Sequence, residues 1–367
     1  MKKNILVVVG TRPNFIKVTQ LKKAAAFYPD IELKIVHTGQ HFDAKMAEVF
    51  FEQFNLIPDY FLNIKPASAN RQIAEILIKL EDLTDEIGKP DLMLVPGDVN
   101  STVAAALFAN KSNIKLGHIE AGLRSFDRTM PEEFNRLVAD ELSDLFFVTE
   151  PSGLNHLKRE GKNVSAIHYV GNTMIDTMVA FENEISVSNV LCGLELSENK
   201  FVLMTMHRPA TVDSNIELEK LITLIEYISK THKVVFPIHP RTIKNAKEFN
   251  LYERIITNKN LICTDPLDYF AFQKLIKECA FIITDSGGIQ EESTFRQKAC
   301  LTLRPNTERP VTVDEGSNTL LSFDIEEVKK YIAQIENGTY KKGAIPHLWD
   351  GKATERILEV INSLLVQ

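Results

Sequence analysis

The densest group of chemically versatile side chains lies between His118 and Arg136. The stretch His118–Arg124 reads HIEAGLR and the stretch Met130–Arg136 reads MPEEFNR, so the two together carry three carboxylates and two arginines. Carboxylates can take a proton from carbon and return one, and cations stabilise the negative charge that develops on a departing group. These residue types in so short a segment indicate an enzyme that transfers protons.

Three carboxylates, Asp98, Glu120 and Glu132, are the candidates for proton transfer. Asp98 follows the apolar run Leu92–Pro96, and Glu120 directly follows the run Lys115–Ile119. Glu132 lies in the first turn of a helix that the proline before it favours. If the apolar runs are parallel strands, their carboxyl ends share the sheet edge at which open α/β sheets bind ligands.

Each of these carboxylates also has a structural interpretation. Asp98 could cap the helix that follows it, Glu120 could form an ion pair with Arg124, and Glu132 could pair with Arg136 one helical turn later. The functional interpretation is favoured because all three side chains belong to consecutive segments at the predicted ligand edge.

The segment Gly10–Lys17, GTRPNFIK, follows the first apolar run. Gly10 permits a tight turn, and the free N–H groups of the next helix attract anions. Arg12 and Lys17 add charges suited to phosphate oxygens. The segment therefore predicts a phosphate contact, although a solvated basic turn would have the same sequence.

The segment Thr284–Glu292, TDSGGIQEE, gives a sharper signal for phosphate. Its small residues Ser286–Gly288 let a phosphate approach backbone N–H groups at a helix start. Glu291 and Glu292 could accept hydrogen bonds from ribose hydroxyls, and Thr307–Pro310, TERP, adds a cation. A diphosphate-linked nucleoside fits this set of groups.

The elements that must position these residues alternate between short apolar runs and longer helical patterns, such as Phe15–Phe27 and Gln72–Ile87. The predicted strands are Ile5–Val9, Leu33–His37, Leu92–Pro96, Lys115–Ile119, Leu145–Val148, His168–Val170, Phe201–Met206, Val234–Ile238, Leu261–Thr264, Phe281–Thr284 and Cys300–Leu303. Runs that are apolar on both faces indicate parallel sheets covered by helices. We predict an α/β protein with two doubly wound domains, residues 1–170 and 171–350, and an active-site cleft between them. A C-terminal helix within residues 351–367 is expected to pack back on the first domain.

Length, charge and hydropathy narrow the class of protein. A chain of 367 residues exceeds one ordinary core, which supports two domains. The net charge of −7, from 42 basic and 49 acidic side chains, argues against a nucleic-acid partner. The first apolar run is shorter than the roughly 7–15 residues of a signal peptide core, and no run approaches the roughly 18 residues of a membrane span. We expect no membrane partner and a cytoplasmic location.

The motifs occur in a recognisable order. They are GTRPxxIK, TGQH, PGDxNST, HIEAGLRS, PEExNR, HRP, DSGGIQEE and TERP. From Ile5 to about Gly316 the chain resembles the non-hydrolysing UDP-N-acetylglucosamine 2-epimerases. The resemblance implies the GT-B fold of two Rossmann-like domains, a homodimer, no redox cofactor and no required metal.

The resemblance also implies a reaction. Such enzymes interconvert UDP-N-acetylglucosamine (UDP-GlcNAc) and UDP-N-acetylmannosamine (UDP-ManNAc). UDP is eliminated in the anti sense to give 2-acetamidoglucal and is then added again, with C2 protonated on the other face. The expected role is the supply of N-acetylmannosamine (ManNAc) for surface polysaccharide.

The functional positions of the family fall on residues of this chain. The implied catalytic residues are Asp98, Glu120, Glu132 and His207. The implied substrate-binding residues are Arg12, Lys17, Arg136, Phe272 (uracil), Ser286, Gly287, Gly288, Glu292 (ribose) and Arg309. A second UDP-GlcNAc molecule, bound as an activator, would contact Gln40, His41, Arg71, Gln72, Arg208 and His239. Asp43 and Pro209 depart from the family's pattern at this second site, where glutamine and arginine are expected.

Other functions are compatible with parts of the sequence. A hydrolysing epimerase would release free ManNAc and UDP, and a related 2-epimerase of a UDP-diacetamido-uronic acid would need a further cation. A GT-B glycosyltransferase could use the same fold and UDP loop but would need an acceptor site. A catalytically silent nucleotide-sugar sensor would not require Asp98, Glu120 and Glu132 together.

Overall fold

The computed structural model describes residues 2–39 and 51–365, which form two compact units. Unit 1 comprises Met1–Ala180 together with His347–Gln367, and unit 2 comprises Phe181–Pro346. Each unit has its own parallel sheet with helices between successive strands.

In unit 1 the described residues form a seven-stranded parallel sheet with the order β3-β2-β1-β4-β5-β6-β7. The strands are β1 (Lys3–Val9), β2 (Ile31–His37), β3 (Tyr60–Phe61), β4 (Leu92–Pro96), β5 (Lys115–Ile119), β6 (Leu145–Val148) and β7 (Ile167–Tyr169). Every residue of β4 is buried because helices cover both faces of the sheet, which explains the unbroken apolar run.

The helices of unit 1 lie between these strands or follow β7 in the chain. They include Arg12–Ile16, Leu21–Ala25, Ala69–Ile87, Asn100–Lys111, Pro131–Leu142, Pro151–Arg159, Thr173–Ala180 and Ala353–Leu365. The single helix predicted over Phe15–Phe27 was wrong, since the structure has two short helices there. Between them the backbone makes i to i+3 hydrogen bonds around Val18 and Thr19, whose β-branched side chains weaken an α-helix.

The C-terminal helix Ala353–Leu365 and the helix Thr173–Ala180 lie in unit 1. The buried carboxylate of Asp176 accepts hydrogen bonds from the backbone N–H groups of Ala353 at 3.1 Å and Thr354 at 2.6 Å, so it caps the C-terminal helix. The division between the units consequently falls after residue 180, ten residues beyond the sequence-based boundary.

In unit 2 the described residues form a six-stranded parallel sheet with the order β10-β9-β8-β11-β12-β13. Its strands are β8 (Phe201–Thr205), β9 (Lys233–Pro237), β10 (Leu261–Thr264), β11 (Phe281–Thr284), β12 (Cys300–Leu303) and β13 (Asn318–Leu321). Its helices are Glu182–Ser186, Val190–Gly193, Pro209–Val212, Asn215–Ile228, Pro240–Glu248, Tyr252–Ile256, Tyr269–Glu278, Gly287–Phe295, Val311–Asp314 and Ile325–Glu336.

The strand order of each sheet reverses direction at one point. In unit 1 this point lies between β1 and β4: β2 and β3 follow on the side of β1, and β5 to β7 follow on the side of β4. In unit 2 it lies between β8 and β11. Loops diverge at such a switch point and leave a crevice at the carboxyl ends of the two strands. Each unit therefore has one preferred place for a ligand. In the part of the chain that the structure describes, no helix is long and apolar enough to cross a membrane.

Candidate active site

The switch point of unit 1 gathers Asn14, Lys17 and Glu120 around Gly97. A Cβ atom placed on Gly97 would lie 3.0 Å from Asn14 Nδ2, 3.0 Å from Lys17 Nζ and 3.2 Å from Glu120 Oε2. Gly97 also has φ +63°, a left-handed conformation that glycine adopts without strain. The glycine after β4 thus allows an amide, an ammonium and a carboxylate to converge.

Glu120 is buried and forms an ion pair with Lys17. Its backbone has φ +73°, which is unusual for a residue other than glycine and is a form of strain that is concentrated at functional sites. The alternative pairing with Arg124 is wrong. The Arg124 guanidinium instead pairs with Asp140 at 2.7 Å and Glu160 at 2.6 Å.

Asp98, another candidate for proton transfer, forms an ion pair with Arg136. The helix after β4 has Val99 as its N-cap, so the interpretation of Asp98 as the cap is wrong. The Asn135 side chain donates to the Asp98 carbonyl at 2.8 Å, which ties the helix Pro131–Leu142 to this loop. Asp98 keeps about a quarter of its side chain exposed, so its carboxylate is both oriented and accessible.

The two adjacent glutamates of the PEE motif have different environments. Glu133 is buried and accepts hydrogen bonds from Ser125 N at 2.9 Å, Ser125 Oγ at 2.8 Å and Phe126 N at 3.0 Å, and it pairs with Arg136 at 2.9 Å. Glu132 is exposed at the start of the same helix. The partner of Arg136 one turn earlier is therefore Glu133, and the alternative interpretation of Glu132 as the partner of Arg136 is wrong.

His118 supports the Gly97 turn from inside unit 1. Its Nδ1 lies 2.7 Å from Asp140 Oδ1 and its Nε2 lies 2.8 Å from the Gly97 carbonyl. These two contacts hold the ring between Asp140 and the Gly97 carbonyl. Burial by itself raises the pKa of Asp140, but the charges and hydrogen bonds of His118 and Arg124 outweigh this and lower it. His118 is thus a fully buried support of the loop that carries Asp98.

The switch point of unit 2 contains a helix start and two buried arginines. A Cβ atom on Gly287 would lie 3.0 Å from both Arg309 Nη1 and Glu308 Oε1. Arg309 pairs with Glu291 at 2.7 Å and with Glu308, while Arg304 pairs with Glu308 at 3.1 Å. The N-terminal N–H groups of the helix Gly287–Phe295 and these guanidinium groups suit an anion.

Arg304 was not predicted from the sequence, yet its electrostatics favour an anion. Burial lowers the pKa of Arg304, and the neighbouring charges of Arg208 and Arg309 lower it further, against the opposing effect of Glu308. A bound anion would relieve this repulsion between guanidinium groups. The sequence feature that could have identified Arg304 is its position directly after β12, at the same sheet edge as the other site residues of unit 2.

Asp285 follows β11 and fixes the loop that contains His207. It accepts hydrogen bonds from the backbone N–H groups of His207 and Arg208, and it faces the His207 ring. Burial raises the pKa of Asp285, but the hydrogen bond and charge of His207, together with those two N–H groups, hold it below its usual value. Asp285 also was not predicted, although the position directly after a strand pointed to it.

The remaining predicted substrate-binding residues are distributed over both units. Glu292 is buried and accepts a hydrogen bond of 2.6 Å from Gln273, and Phe272 is half-buried beside Gln273. Ser286 is the N-cap of the helix Gly287–Phe295, and Gly288 is its second residue. In unit 1, Arg12 is exposed at the start of the helix Arg12–Ile16.

The residues proposed for an activator are only partly described. Gln40 and His41, together with Asp43, lie outside the described residues. Arg71 is exposed, whereas Gln72 is buried and accepts a hydrogen bond of 3.0 Å from Asn100. In unit 2, Arg208 is the N-cap of the helix Pro209–Val212, and His239 caps the helix Pro240–Glu248 by accepting from Arg241 N at 3.2 Å.

Comparisons with known proteins identify the family to which this chain is similar. A family model described as UDP-N-acetylglucosamine 2-epimerase matches residues 23–362. A UDP-N-acetylglucosamine 2-epimerase of Methanocaldococcus jannaschii is 38% identical over 365 residues, which cover 97% of this chain and 98% of the relative. A UDP-2,3-diacetamido-2,3-dideoxy-D-glucuronate 2-epimerase of Pseudomonas aeruginosa is 37% identical over 321 residues, with coverages of 86% and 88%.

Solved structures give the same result at the level of the fold. The crystal structure of the Methanocaldococcus jannaschii UDP-GlcNAc 2-epimerase in complex with UDP-GlcNAc and UDP matches with a TM-score of 0.87 at 36% identity, covering 98% of this chain and 99% of that one. A UDP-GlcNAc 2-epimerase from Neisseria meningitidis bound to UDP-GlcNAc matches with a TM-score of 0.88 at 29% identity, covering 98% and 100%. The two parallel-sheet α/β units are therefore the Rossmann-like domains of the GT-B fold class, as predicted.

Proposed function

The chain belongs to the UDP-N-acetylglucosamine 2-epimerase family, and we propose that it interconverts UDP-GlcNAc and UDP-ManNAc without hydrolysing the bond to UDP. The observation that carries this proposal is the pair of carboxylates at the unit 1 switch point, Glu120 held by Lys17 and Asp98 held by Arg136. Inversion at a carbon that bears hydrogen needs one group to remove the proton and another to return it. Two oriented carboxylates at one sheet edge supply both.

The proposed reaction has two stages. In the first, a carboxylate takes the proton from C2 of the sugar, the C1–C2 double bond forms, and the electron pair of the C1–O bond leaves with the β-phosphate of UDP. In the second, that phosphate oxygen adds again to C1 and a proton is delivered to C2 on the opposite face. We assign these proton transfers to Asp98, Glu120 and Glu132.

The cations stabilise the charge that appears on UDP as it departs. In unit 1, Lys17 and Arg136 are each already paired with a candidate carboxylate, so they hold those groups in place, and Arg12 offers an exposed guanidinium nearby in sequence. Oriented charges of this kind lower the barrier because they need no rearrangement during the reaction. In unit 2 we assign the same role to His207 and Arg309.

Binding of the nucleoside diphosphate is assigned to unit 2. Phosphate oxygens accept from the backbone around Ser286, Gly287 and Gly288, where the small residues leave the helix N-terminus open. Glu292, oriented by its hydrogen bond from Gln273, receives the ribose hydroxyls. Phe272, half-buried, provides an aromatic face for uracil.

Further properties follow from the family resemblance. We propose a homodimer and a second UDP-GlcNAc bound as an activator, with contacts from Arg71, Gln72, Arg208 and His239. The product would serve as an activated sugar for the synthesis of surface polysaccharide.

A second substrate has a specific observation in its favour. The Pseudomonas aeruginosa relative, named for a UDP-diacetamido-glucuronate, is 37% identical to this chain, almost as similar as the UDP-GlcNAc 2-epimerases. The chemistry at C2 would be the same, but the sugar would carry an additional carboxylate and an additional acetamido group.

The test is to incubate the purified protein separately with each UDP-sugar and to identify the products by proton and phosphorus NMR. We expect a mixture of UDP-GlcNAc and UDP-ManNAc in which the diphosphate linkage is intact. Free ManNAc with UDP would instead identify a hydrolysing enzyme. Turnover of the diacetamido-uronic substrate alone would assign the chain to the second function.

A further inference from the structure

Asp285 makes more contacts with the His207 segment than anchoring of a loop requires. Its Oδ2 accepts from His207 N at 3.0 Å and from Arg208 N at 2.9 Å, so these two bonds hold the backbone. Its Oδ1 lies 3.0 Å from His207 Nδ1 and also accepts from His207 N at 3.2 Å. One carboxylate oxygen therefore serves the backbone while the other also faces the ring.

The two partners differ sharply in exposure. The Asp285 side chain is fully buried, whereas 54% of the His207 side chain is exposed. A carboxylate only accepts, so the ring nitrogen that faces it carries a proton. The nitrogen left for a ligand is Nε2, and this holds whether the ring is neutral or charged.

The pair lies where a ligand is expected. Asp285 directly follows β11, and His207 follows β8 two residues after its end, so the two segments flank the unit 2 switch point. Gly287, at the start of the anion-binding helix, is two residues beyond Asp285. A His–Asp arrangement in which the acid sets the tautomer and orientation of the base is a recurrent catalytic device.

We propose that Asp285 is a positioning residue that holds Nδ1–H and the orientation of His207, so that Nε2 gives a proton to a β-phosphate oxygen as the C1–O bond breaks and takes it back when that oxygen adds again to C1. The inference rests on the proposed function, because it gives His207 its task in the elimination and re-addition of UDP. It adds a residue that acts through His207 and does not itself touch the substrate.

Asp285→Asn separates positioning from anchoring. The asparagine oxygen can still accept from the two backbone N–H groups, so the loop remains attached. Its NH₂ group then faces Nδ1 and can only donate, which drives the ring proton to Nε2. A residue that merely anchors the loop would tolerate this change.

The experiment combines steady-state kinetics with nitrogen NMR of ¹⁵N-histidine-labelled protein. In Asp285→Asn we expect kcat to fall about 10²-fold while KM changes less than about threefold. The His207 resonances, assigned by their loss in His207→Gln, should show the neutral-ring proton on Nδ1 in the wild type and on Nε2 in the variant. The double variant should be no slower than His207→Gln alone, because Asp285 acts through the ring.

Asp324→Asn is the matched control. Asp324 is an exposed helix cap of unit 2 that accepts from Glu327 N at 2.9 Å, and asparagine caps equally well. It should keep wild-type kinetics and spectra.

The outcomes distinguish this inference from the proposed function. If the wild type is active, an unchanged kcat or an unchanged ring tautomer in Asp285→Asn overturns the inference but not the proposed function. The inference is also overturned if the reductions in kcat of Asp285→Asn and His207→Gln multiply in the double variant. If the wild type does not epimerise UDP-GlcNAc, the proposed function fails. The wild-type His207 spectrum then still tests the pairing, and a proton on Nε2 would refute it.

Discussion

Replacement of Glu120 by glutamine is the most informative single change in unit 1. The substitution preserves the size of the side chain and an oxygen that can accept from Lys17, but it removes the negative charge. Because the Glu120 and Lys17 side chains are 5% and 9% exposed, the ammonium group is left with little solvent to compensate. The variant therefore tests both chemistry and stability.

The burial of this ion pair determines how much stability the variant loses. Complete removal of one partner from a buried ion pair costs about 3–5 kcal/mol. The remaining hydrogen bond reduces this, so we expect Glu120→Gln to lose about 1–3 kcal/mol of unfolding free energy. Turnover should fall by about 10² or more, since the amide cannot accept the C2 proton.

The double variant Lys17→Met with Glu120→Gln separates the two effects. It contains no buried charge at this position, so the unfolding free energy should return toward that of the wild type. Recovery of the unfolding free energy would assign the stability loss to the unpaired Lys17 charge, whereas turnover should remain low because Glu120 and the substrate-binding Lys17 are both changed. Urea denaturation and an NMR assay of epimerisation measure the two quantities.

Glu160→Gln is the matched control for this experiment. Glu160 also pairs with a buried cation, Arg124, at 2.6 Å, but its own side chain is about a third exposed. We expect near-normal turnover and a loss of no more than about 1 kcal/mol. Near-normal turnover in Glu120→Gln would remove Glu120 from the mechanism.

Three further predictions concern other parts of the molecule. Glu132→Gln changes an exposed residue, so the unfolding free energy should stay within about 0.5 kcal/mol of the wild type while turnover falls. A variant with wild-type turnover would exclude Glu132 from catalysis. Arg304→Met should weaken UDP binding about 10- to 100-fold in titration calorimetry, because a charge-assisted hydrogen bond contributes about 1.5–3 kcal/mol; an unchanged Kd would place the diphosphate elsewhere. Burial lowers the pKa of His37 to about 4 in the folded protein. As the pH falls below about 6.5, His37 is therefore protonated in the unfolded chain but not yet in the folded protein, and the unfolding free energy decreases between about pH 6.5 and 4. This decrease in unfolding free energy should reach about 3 kcal/mol in the wild type. It should be absent from His37→Asn, whose side-chain oxygen can still accept from Gly39 N. An equal dependence of the unfolding free energy on pH in the wild type and in His37→Asn would contradict this prediction.

The central strands were predictable because a buried parallel strand is apolar on both faces. The sequence-based bounds of β4, β5 and β11 agree with the structure, since each is a short apolar run between polar segments. The edge strands β3 and β13 were not predicted. β3 has only two residues, Tyr60–Phe61, and β13 contains two polar residues, so neither gives a strong periodic signal.

The candidate site was predictable where a residue follows a central strand. Asp98, Glu120 and the loop Ser286–Gly288 all lie at strand ends in the structure. Glu133 could not be distinguished from Glu132, because adjacent helix positions differ in burial only through the direction in which the helix packs. Neighbours brought together by the fold, such as Arg304 beside Gly287, depend on tertiary contacts that no local pattern encodes.

The proposed function requires this chain to exchange the proton at C2 of UDP-GlcNAc and to re-form the bond to UDP. Incubation of the wild-type protein with UDP-GlcNAc in D₂O, followed by NMR, tests it most directly. We expect deuterium at C2 in both UDP-GlcNAc and UDP-ManNAc, with the diphosphate linkage intact. Recovery of UDP-GlcNAc with no deuterium at C2 would contradict it.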